Sequence, residues 1–351
     1  MMSTPQNAVS ITTLEAIWYD PDVQIAEREW VLDGLLPMGA FVGWIGPEKS
    51  EKSLFGMRQA MTIACGRHWN SYQCVKPRVV SYLDAENSKE DLHERYHELL
   101  KEFSEDDQQL IRANFHLVAG RDLVAAGETL DHTNDTFWKR FASEHPAQVF
   151  YLDCLYMFHN KSAKDNEGLL EVLKGLRRHC GYDKCVIVLH HTRKRTDEEV
   201  GKAGMKNRVS LRKTGIRIWS DKAYGGGVFK KYADVILGQE RFDQKDDDGN
   251  VSASYIDWQG YGRMLADTPM LSFESDGEHK YRRHLVTNLS QSAAKVLAEV
   301  QELRGPWKSR HELAKLLQSC ARSSAYNLIG ELKIKGRIEI DGGGTVSLIR
   351  K

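Results

Sequence analysis

Residues 40–53 read AFVGWIGPEKSEKS, an apolar run, a polar loop, and then Lys52-Ser53 opening the helical stretch LFGMRQAMTIACG (54–66). The run is too short for a helix and is bounded by glycine, so it reads as a buried strand entering a loop and a helix. A strand–loop–helix unit with the spacing G-x-x-x-x-G-K-[ST] is a phosphate-binding loop, because the loop and helix amides point at one anion. Gly46, Lys52 and Ser53 hold their places in that pattern, with Pro47, Lys49, Ser50 and Leu54 around them. Lys52 is placed to meet the β- and γ-phosphates of ATP, and Ser53 to bind Mg²⁺. The sixth position departs from the pattern: it is Glu51 where glycine is expected. A carboxylate ~4 Å from a phosphate costs about 1–4 kcal/mol depending on screening. Lys49 is expected to offset part of that cost.

Moving outward, RVVSYLDAE (78–86), FHLVAG (115–120), AQVFYLDCLYMF (147–158) and KCVIVLHHTRK (184–194) are further apolar strands. Amphipathic helices follow several of them, SKEDLHERYHELLKEF (88–103) and NEGLLEVLKGLRRHCG (166–181) among them. Strands alternating with helices predict an α/β fold with a mostly parallel sheet flanked by helices. In such sheets ligands bind at the carboxyl ends of the strands. Three of those ends carry chemistry: the loop after 46, Glu86, and Asp153. Asp153 is suited to the hydration shell of Mg²⁺, and Glu86 to polarising a water for attack on a phosphate. His190 and His191 close a fourth strand. Successive side chains point to opposite faces, so one turns toward the phosphates and the other packs.

The bulk composition narrows the alternatives. Lys plus Arg and Asp plus Glu both number 49, so no global positive field marks a nucleic-acid binder and any such contact is local. No apolar run is long enough to span a membrane, and the opening residues lack a signal-peptide pattern, which predicts a cytoplasmic protein with reduced thiols. The six cysteines form no Cys-x-x-Cys pair, and the grouping of His179, Cys180, Cys185, His190 and His191 fits no common zinc spacing. DQKDDDGN (243–250) reads as a hairpin turn and not a calcium loop.

WVLDGLLPMG before the loop, YLDAENSKEDLHER, YLDCLYMF, DNEG and VIVLHHTRK together resemble RepA-type hexameric plasmid helicases and their RecA-like relatives, over about residues 28–265. The resemblance implies that Lys52 and Ser53 are the Walker A pair, Glu86 the catalytic glutamate, Asp153 the Walker B acid, and His191 or His190 a phosphate sensor. It also implies a ring in which a neighbour supplies an arginine; Arg241 and Arg263, just beyond two late strands, are the candidates. The expected organisation is an N-terminal arm (1–29), a RecA-like ATPase domain (30–285) and a winged-helix-like domain (286–351).

Residues 192–231 hold twelve Lys/Arg against four acids. They fall where RecA-like proteins place a mobile loop facing a central channel, which predicts contact with single-stranded DNA. Arg193, Lys194, Lys206, Arg208, Arg212, Lys213 and Arg217 are the candidate phosphate contacts, with Trp219 or Tyr224 to stack on bases. In the C-terminal unit three short helices and the hairpin RIEIDGGGTVSLIRK place a recognition helix at 322–332 and a wing at 335–350, with Arg322 and Lys335 as contacts. These readings converge on an Mg-ATP-dependent, helicase-like motor. The alternatives are a degenerate P-loop module whose hydrolysis Glu51 has weakened, and a winged-helix regulator.

Overall fold

A computed structural model of the chain describes residues 28–70, 72–160, 166–192, 210–224, 228–245, 250–263, 265, 267–275, 281–284, 291–303, 305–318, 320, 322–334, 338–341 and 344–349. The arm expected at 1–29 therefore lies almost wholly outside the described residues.

A short antiparallel pair, β1 (Trp30–Leu32) and β2 (Leu36–Pro37), precedes β3 (Phe41–Gly46). Then come α1 (Lys52–Cys65), β4 (Val80–Asp84), α2 (Lys89–Leu100), α3 (Glu105–Asn114), β5 (Phe115–Ala119), α4 (Gly120–Ala125), α5 (Asp135–Glu144), β6 (Val149–Asp153), α6 (Asn166–Cys180) and β7 (Cys185–His191). After helices Leu211–Tyr224 and Val228–Tyr232 the chain continues as β8 (Val235–Lys245), β9 (Val251–Gly262), β10 (Leu271–Ser275) and β11 (Tyr281–His284). These strands form one nine-stranded sheet in the order β11-β10-β9-β8-β3-β7-β6-β4-β5. From β5 to β8 neighbouring strands run parallel, and β9, β10 and β11 extend the sheet by antiparallel pairing. This is the expected α/β fold of RecA-like type. The antiparallel strand β10 was not legible in the sequence, whereas GEHKYRRH (277–284), which holds β11, reads as a charged strand end.

The apolar runs are continuous because the central strands are covered on both faces. Val42, Trp44, Tyr151 and Ile187 join one buried cluster with Phe55, Ala60 and Ile63 of α1. Phe41, Ile45, Phe150 and Val186, one residue out of phase, join another with Leu173 and Leu176 of α6. Helix starts follow from capping: Ser88 accepts from the Asp91 amide at 3.2 Å and Ser104 from the Asp107 amide at 3.3 Å.

The basic stretch after β7 is only partly a loop. Residues 211–224 are helical, kinked at Gly215. Their apolar face lies so close to β8 that a Cβ on Gly238 would sit 2.2 Å from Ile216 Cδ1. Trp219 is 3% exposed, which removes it as a base-stacking platform. Tyr224 has its side chain outside the described residues.

The C-terminal unit has helices Gln291–Leu303, Arg310–Leu316 and Arg322–Ile334, and the antiparallel pair β12 (Ile338–Ile340) and β13 (Val346–Leu348). Val296, Trp307, Leu313, Ile329 and Val346 form its own core, separate from both clusters of the sheet domain.

Candidate nucleotide-binding site

The order β3-β7-β6-β4 brings residues far apart in sequence to one edge: Gly46, His191, Asp153 and Asp84 end four adjacent parallel strands. A cleft of about 1190 Å³ opens there between the loop 46–53 and α2, lined by Lys49, Lys52, Ser53, Leu54, Glu86 and His191 among others.

The loop has the shape a phosphate cradle requires, although two of its residues resist that shape. Lys49 (φ 61°) and Glu51 (φ 63°) are both left-handed, the conformation for which glycine is suited. Such residues cost about 1–3 kcal/mol each and persist where their surroundings hold them. Gly46 is needed for a different reason: a Cβ there would lie 2.3 Å from the Gln239 carbonyl oxygen of β8. The Gln239 side chain is buried, accepts from Trp44 Nε1 at 3.1 Å and donates to the Ser50 carbonyl. Ser50 in turn donates to the Pro47 carbonyl at 2.8 Å, closing the loop on itself.

Glu51 is the main correction to the electrostatic expectation. Its carboxylate accepts from Arg241 Nη1 at 2.9 Å, so the charge is paired within the chain by β8 and not by Lys49. Arg241 also contacts Asp243 at 3.0 Å and Ser254 at 3.1 Å. Arg241, a candidate for a neighbour's site, contacts its own loop within this chain. Arg263 donates to the Lys231 carbonyl at the opposite end of the sheet, since Gly262 pairs with Val235 while Gln239 adjoins the loop. The two candidate arginines therefore do not share a surface.

Lys52 is 4% exposed. Its Nζ donates to the Pro47 carbonyl at 2.8 Å and lies 3.2 Å from His191 Nδ1. Burial pushes its pKa down to about 8, with Asp153 opposing the shift. Because an ammonium only donates, Nδ1 accepts and the ring proton sits on Nε2, facing Glu86 Oε1 at 3.5 Å. His191 is thus the histidine that faces the phosphate side. His190 points the other way, stacks on Phe229 at 5.6 Å, and is pushed down to about 3 by burial, so it is neutral.

Glu86 accepts from the Cys154 thiol at 3.0 Å, and the His191 contact holds its carboxyl below the usual range. It is ionised at neutral pH, as a water-orienting base must be. Asp153, 2% exposed, accepts from Tyr82 at 2.8 Å and lies near the Ser53 hydroxyl. Burial, with Asp84 adding its charge, raises Asp153 well above the carboxylate norm. A buried carboxylate beside a hydroxyl is a hard-oxygen donor set that fits Mg²⁺. Asp84 instead caps the turn, accepting from the Glu86 and Asn87 amides at 2.9 Å each and so fixing where Glu86 begins. Tyr82, Asp84, Cys154 and Gln239 are the site residues the sequence did not single out. Asp84 and Cys154 lie within two positions of the acids it did, and Tyr82 lies four before Glu86.

The DNA candidates fare differently. Arg212 makes a two-pronged pair with buried Asp257, at 2.7 and 2.6 Å, and sits 4.8 Å over the Phe242 ring. Its charge is neutralised and its planar head occupied, so it holds the helix to the sheet instead of meeting a phosphate. Arg217 pairs with Asp267 at 2.6 Å and lies over Tyr261, which leaves it little free charge. Arg193, Lys194, Lys206, Arg208 and Lys335 lie outside the described residues, as do the side chains of Lys213 and Arg322.

The position of Lys52 yields a pH prediction. Phosphate restores its charge, so the bound pKa exceeds the free value of about 8. A group whose pKa rises on binding takes up protons, so its contribution is complete below the free pKa and is lost as pH climbs through it. ADP and ATP affinity, measured by calorimetry in two buffers of different ionisation heat, is expected to fall as pH rises from about 7 to 9, with net proton uptake. Affinity flat over that range counts against a Lys52–phosphate contact.

The family model described as "AAA domain" matches residues 6–197, more than half of the chain. Among solved structures, the flagellar accessory protein FlaH from Methanocaldococcus jannaschii is similar at 13% identity and a TM-score of 0.41, covering 71% of this chain and 91% of that one. A KaiC-like protein from Pyrococcus horikoshii is similar at 13% identity and a TM-score of 0.43, covering 74% and 100%. No curated protein matches the chain significantly. Among the described residues no helix is long and apolar enough to cross a membrane. With a P-loop between β3 and α1, an acid ending β6 beside it, and a family match that spans both, the chain belongs to the AAA domain family and is a nucleotide-binding P-loop ATPase.

Proposed function

We propose that the chain hydrolyses Mg-ATP as a ring-forming motor of the RepA helicase type acting on single-stranded DNA. The observation that carries the hydrolytic part is an ionised Glu86 held by Cys154 and His191 across from Lys52, in a loop where the Glu51 charge is already paired.

ATP phosphates entering the loop meet the backbone amides and draw Lys52 from the Pro47 carbonyl and from His191. Ser53 and Asp153 would hold Mg²⁺, which would supply positive charge to offset that of the phosphates. Glu86 accepts a hydrogen bond from a water and directs its lone pair at the γ-phosphorus; the bond to the β-bridging oxygen breaks and ADP leaves. Removing Lys52 also deprives His191 Nδ1 of its donor, so the ring registers whether phosphate is present.

Support for DNA is compositional: the excess of cations over 192–231 persists after Arg212 and Arg217 are set aside as paired. The three helices and hairpin of the C-terminal unit suit a winged-helix-like reader, with Arg322 and Lys335 as its contacts. A hexameric ring, with an arginine supplied in trans, follows the same resemblance, and a cytoplasmic location follows from the sequence pattern.

A second reading, a P-loop silenced by Glu51, is favoured by one observation, the left-handed backbone at that residue. ATP turnover with and without single-stranded DNA, in the native chain and in Glu51→Gly, separates the two. The motor reading expects the native chain to turn over, faster with DNA, and within about tenfold of Glu51→Gly, a gap of roughly 1.4 kcal/mol. Turnover by Glu51→Gly alone establishes the silenced reading.

A further inference from the structure

The ends of β6 and β7 and the turn after β4 converge on a group that ATP hydrolysis alone does not require. Glu86, Cys154 and His191 each offer one ligand atom, and these atoms all lie within 4.8 Å of one another. Glu86 Oε1 is 3.0 Å from Cys154 Sγ and 3.5 Å from His191 Nε2. Among the described residues no other three His, Cys, Asp or Glu side chains are close enough to share an ion. Of the five residues whose sequence grouping fitted no zinc spacing, only His191 takes part, and its partners come from other strands.

We propose that Glu86, Cys154 and His191 form a site for a divalent transition cation of zinc type, set in the hydrolytic centre and distinct in chemistry from the Mg²⁺ position. The argument begins with the donors. One oxygen, one sulfur and one nitrogen are what zinc and cobalt favour, with three protein ligands leaving a fourth position open; magnesium demands oxygens alone. Ser53 and Asp153 supply the hard set, and the neighbouring triad supplies the soft one. Tetrahedral bonds of about 2.0–2.3 Å place ligand atoms roughly 3.3–3.7 Å apart, close to the two spacings from Glu86, and the third pair lies within 4.8 Å. Cys154 is fully buried at the end of β6, whereas Glu86 and His191 are partly exposed to the cleft, so the ion enters from the cleft side.

The protons balance. The thiol gives up its proton to solvent as the sulfur–metal bond forms. The imidazole stays neutral, but its proton moves from Nε2 to Nδ1 so that Nε2 can bind. Nδ1 then presents a donor to the Lys52 ammonium, and that seat is lost to Lys52. Zinc therefore occupies the carboxylate that orients water and also displaces the P-loop lysine from its resting contact. The consequence for turnover rests on the hydrolase reading; the site itself does not.

The test is a titration of the full chain, free of nucleotide, with Co²⁺ followed by absorption. The expected result is one Co²⁺ per chain with thiolate-to-cobalt charge transfer and tetrahedral d–d bands, displaced by Zn²⁺ and lost in Cys154→Ser. Absence of thiolate charge transfer in the native chain overturns the proposal, as do bands that survive Cys154→Ser. Should Cys154→Ser misfold by circular dichroism, His191→Gln replaces it, with an expected loss of cobalt affinity of at least about 100-fold; unchanged affinity overturns the site. In parallel, equimolar Zn²⁺ in excess Mg²⁺ is expected to suppress ATP turnover by at least tenfold, reversed by a zinc-selective chelator. The cobalt spectrum decides the site whether or not the chain turns over ATP.

Discussion

Glu86→Gln is expected to lower ATP turnover by about 10²–10⁴-fold while nucleotide binding stays within a few-fold of native, the range for removing one positioned base. The amide keeps the volume and can still take a contact from the Cys154 thiol, so the fold has little reason to change. It lacks the charge that holds a water lone pair in line, and its own N–H₂ competes for the same place. Glu86 meets Lys52 through charge and through His191, without a direct hydrogen bond, so its loss is expected to leave the loop–phosphate contacts intact. Steady-state turnover paired with calorimetric binding of ATP is the measurement. Equal loss of binding and turnover would move Glu86 from chemistry into the architecture of the loop. Turnover near native would return the role to another carboxylate, with Asp84 next in line.

Arg212→Ala carries the second large effect, and it concerns stability. Asp257 is 1% exposed, and Arg212 and Ser272 both bond its carboxylate. Removing the guanidinium leaves that charge buried and partly unpaired, which costs roughly 3–5 kcal/mol for such pairs. Asp257→Asn combined with Arg212→Ala is expected to recover much of it, because the isolated charge is then gone. Urea denaturation of the native chain and the two variants reads this directly. If Arg212→Ala instead unfolds like the native chain but binds single-stranded DNA less tightly, the residue belongs to the nucleic-acid surface after all.

The contrast between these two residues shows what a linear sequence discloses. The P-loop is local: strand, loop and helix lie within residues 40–66, and the spacing of Gly46, Lys52 and Ser53 is itself the geometry. Glu86 and Asp153 were legible because a strand's carboxyl end is legible. The histidines were legible only as a pair, since period-two alternation says that His190 and His191 part company without saying which faces inward. The sheet order settles that question, because the loop after β3 lies on the His191 side. The basic run after β7 did not disclose the pairing of Arg212 and Arg217, because its cations were counted with their local acids only. Asp257, in β9, and Asp267, in the segment between β9 and β10, lie some fifty residues on, and no local pattern announces that they meet these arginines. Gln239 was invisible for the same reason, bonding Ser50 across 189 positions.

One feature of β8 reaches further. Gln239 grips the loop backbone at Ser50, and two residues along the same strand Arg241 grips the loop side chain at Glu51. A loop strained at two left-handed residues is thereby pinned at adjacent points by a single strand that continues into the β9 ribbon. A shift of this ribbon is therefore expected to move both grips on the phosphate seat together, as a tiller would.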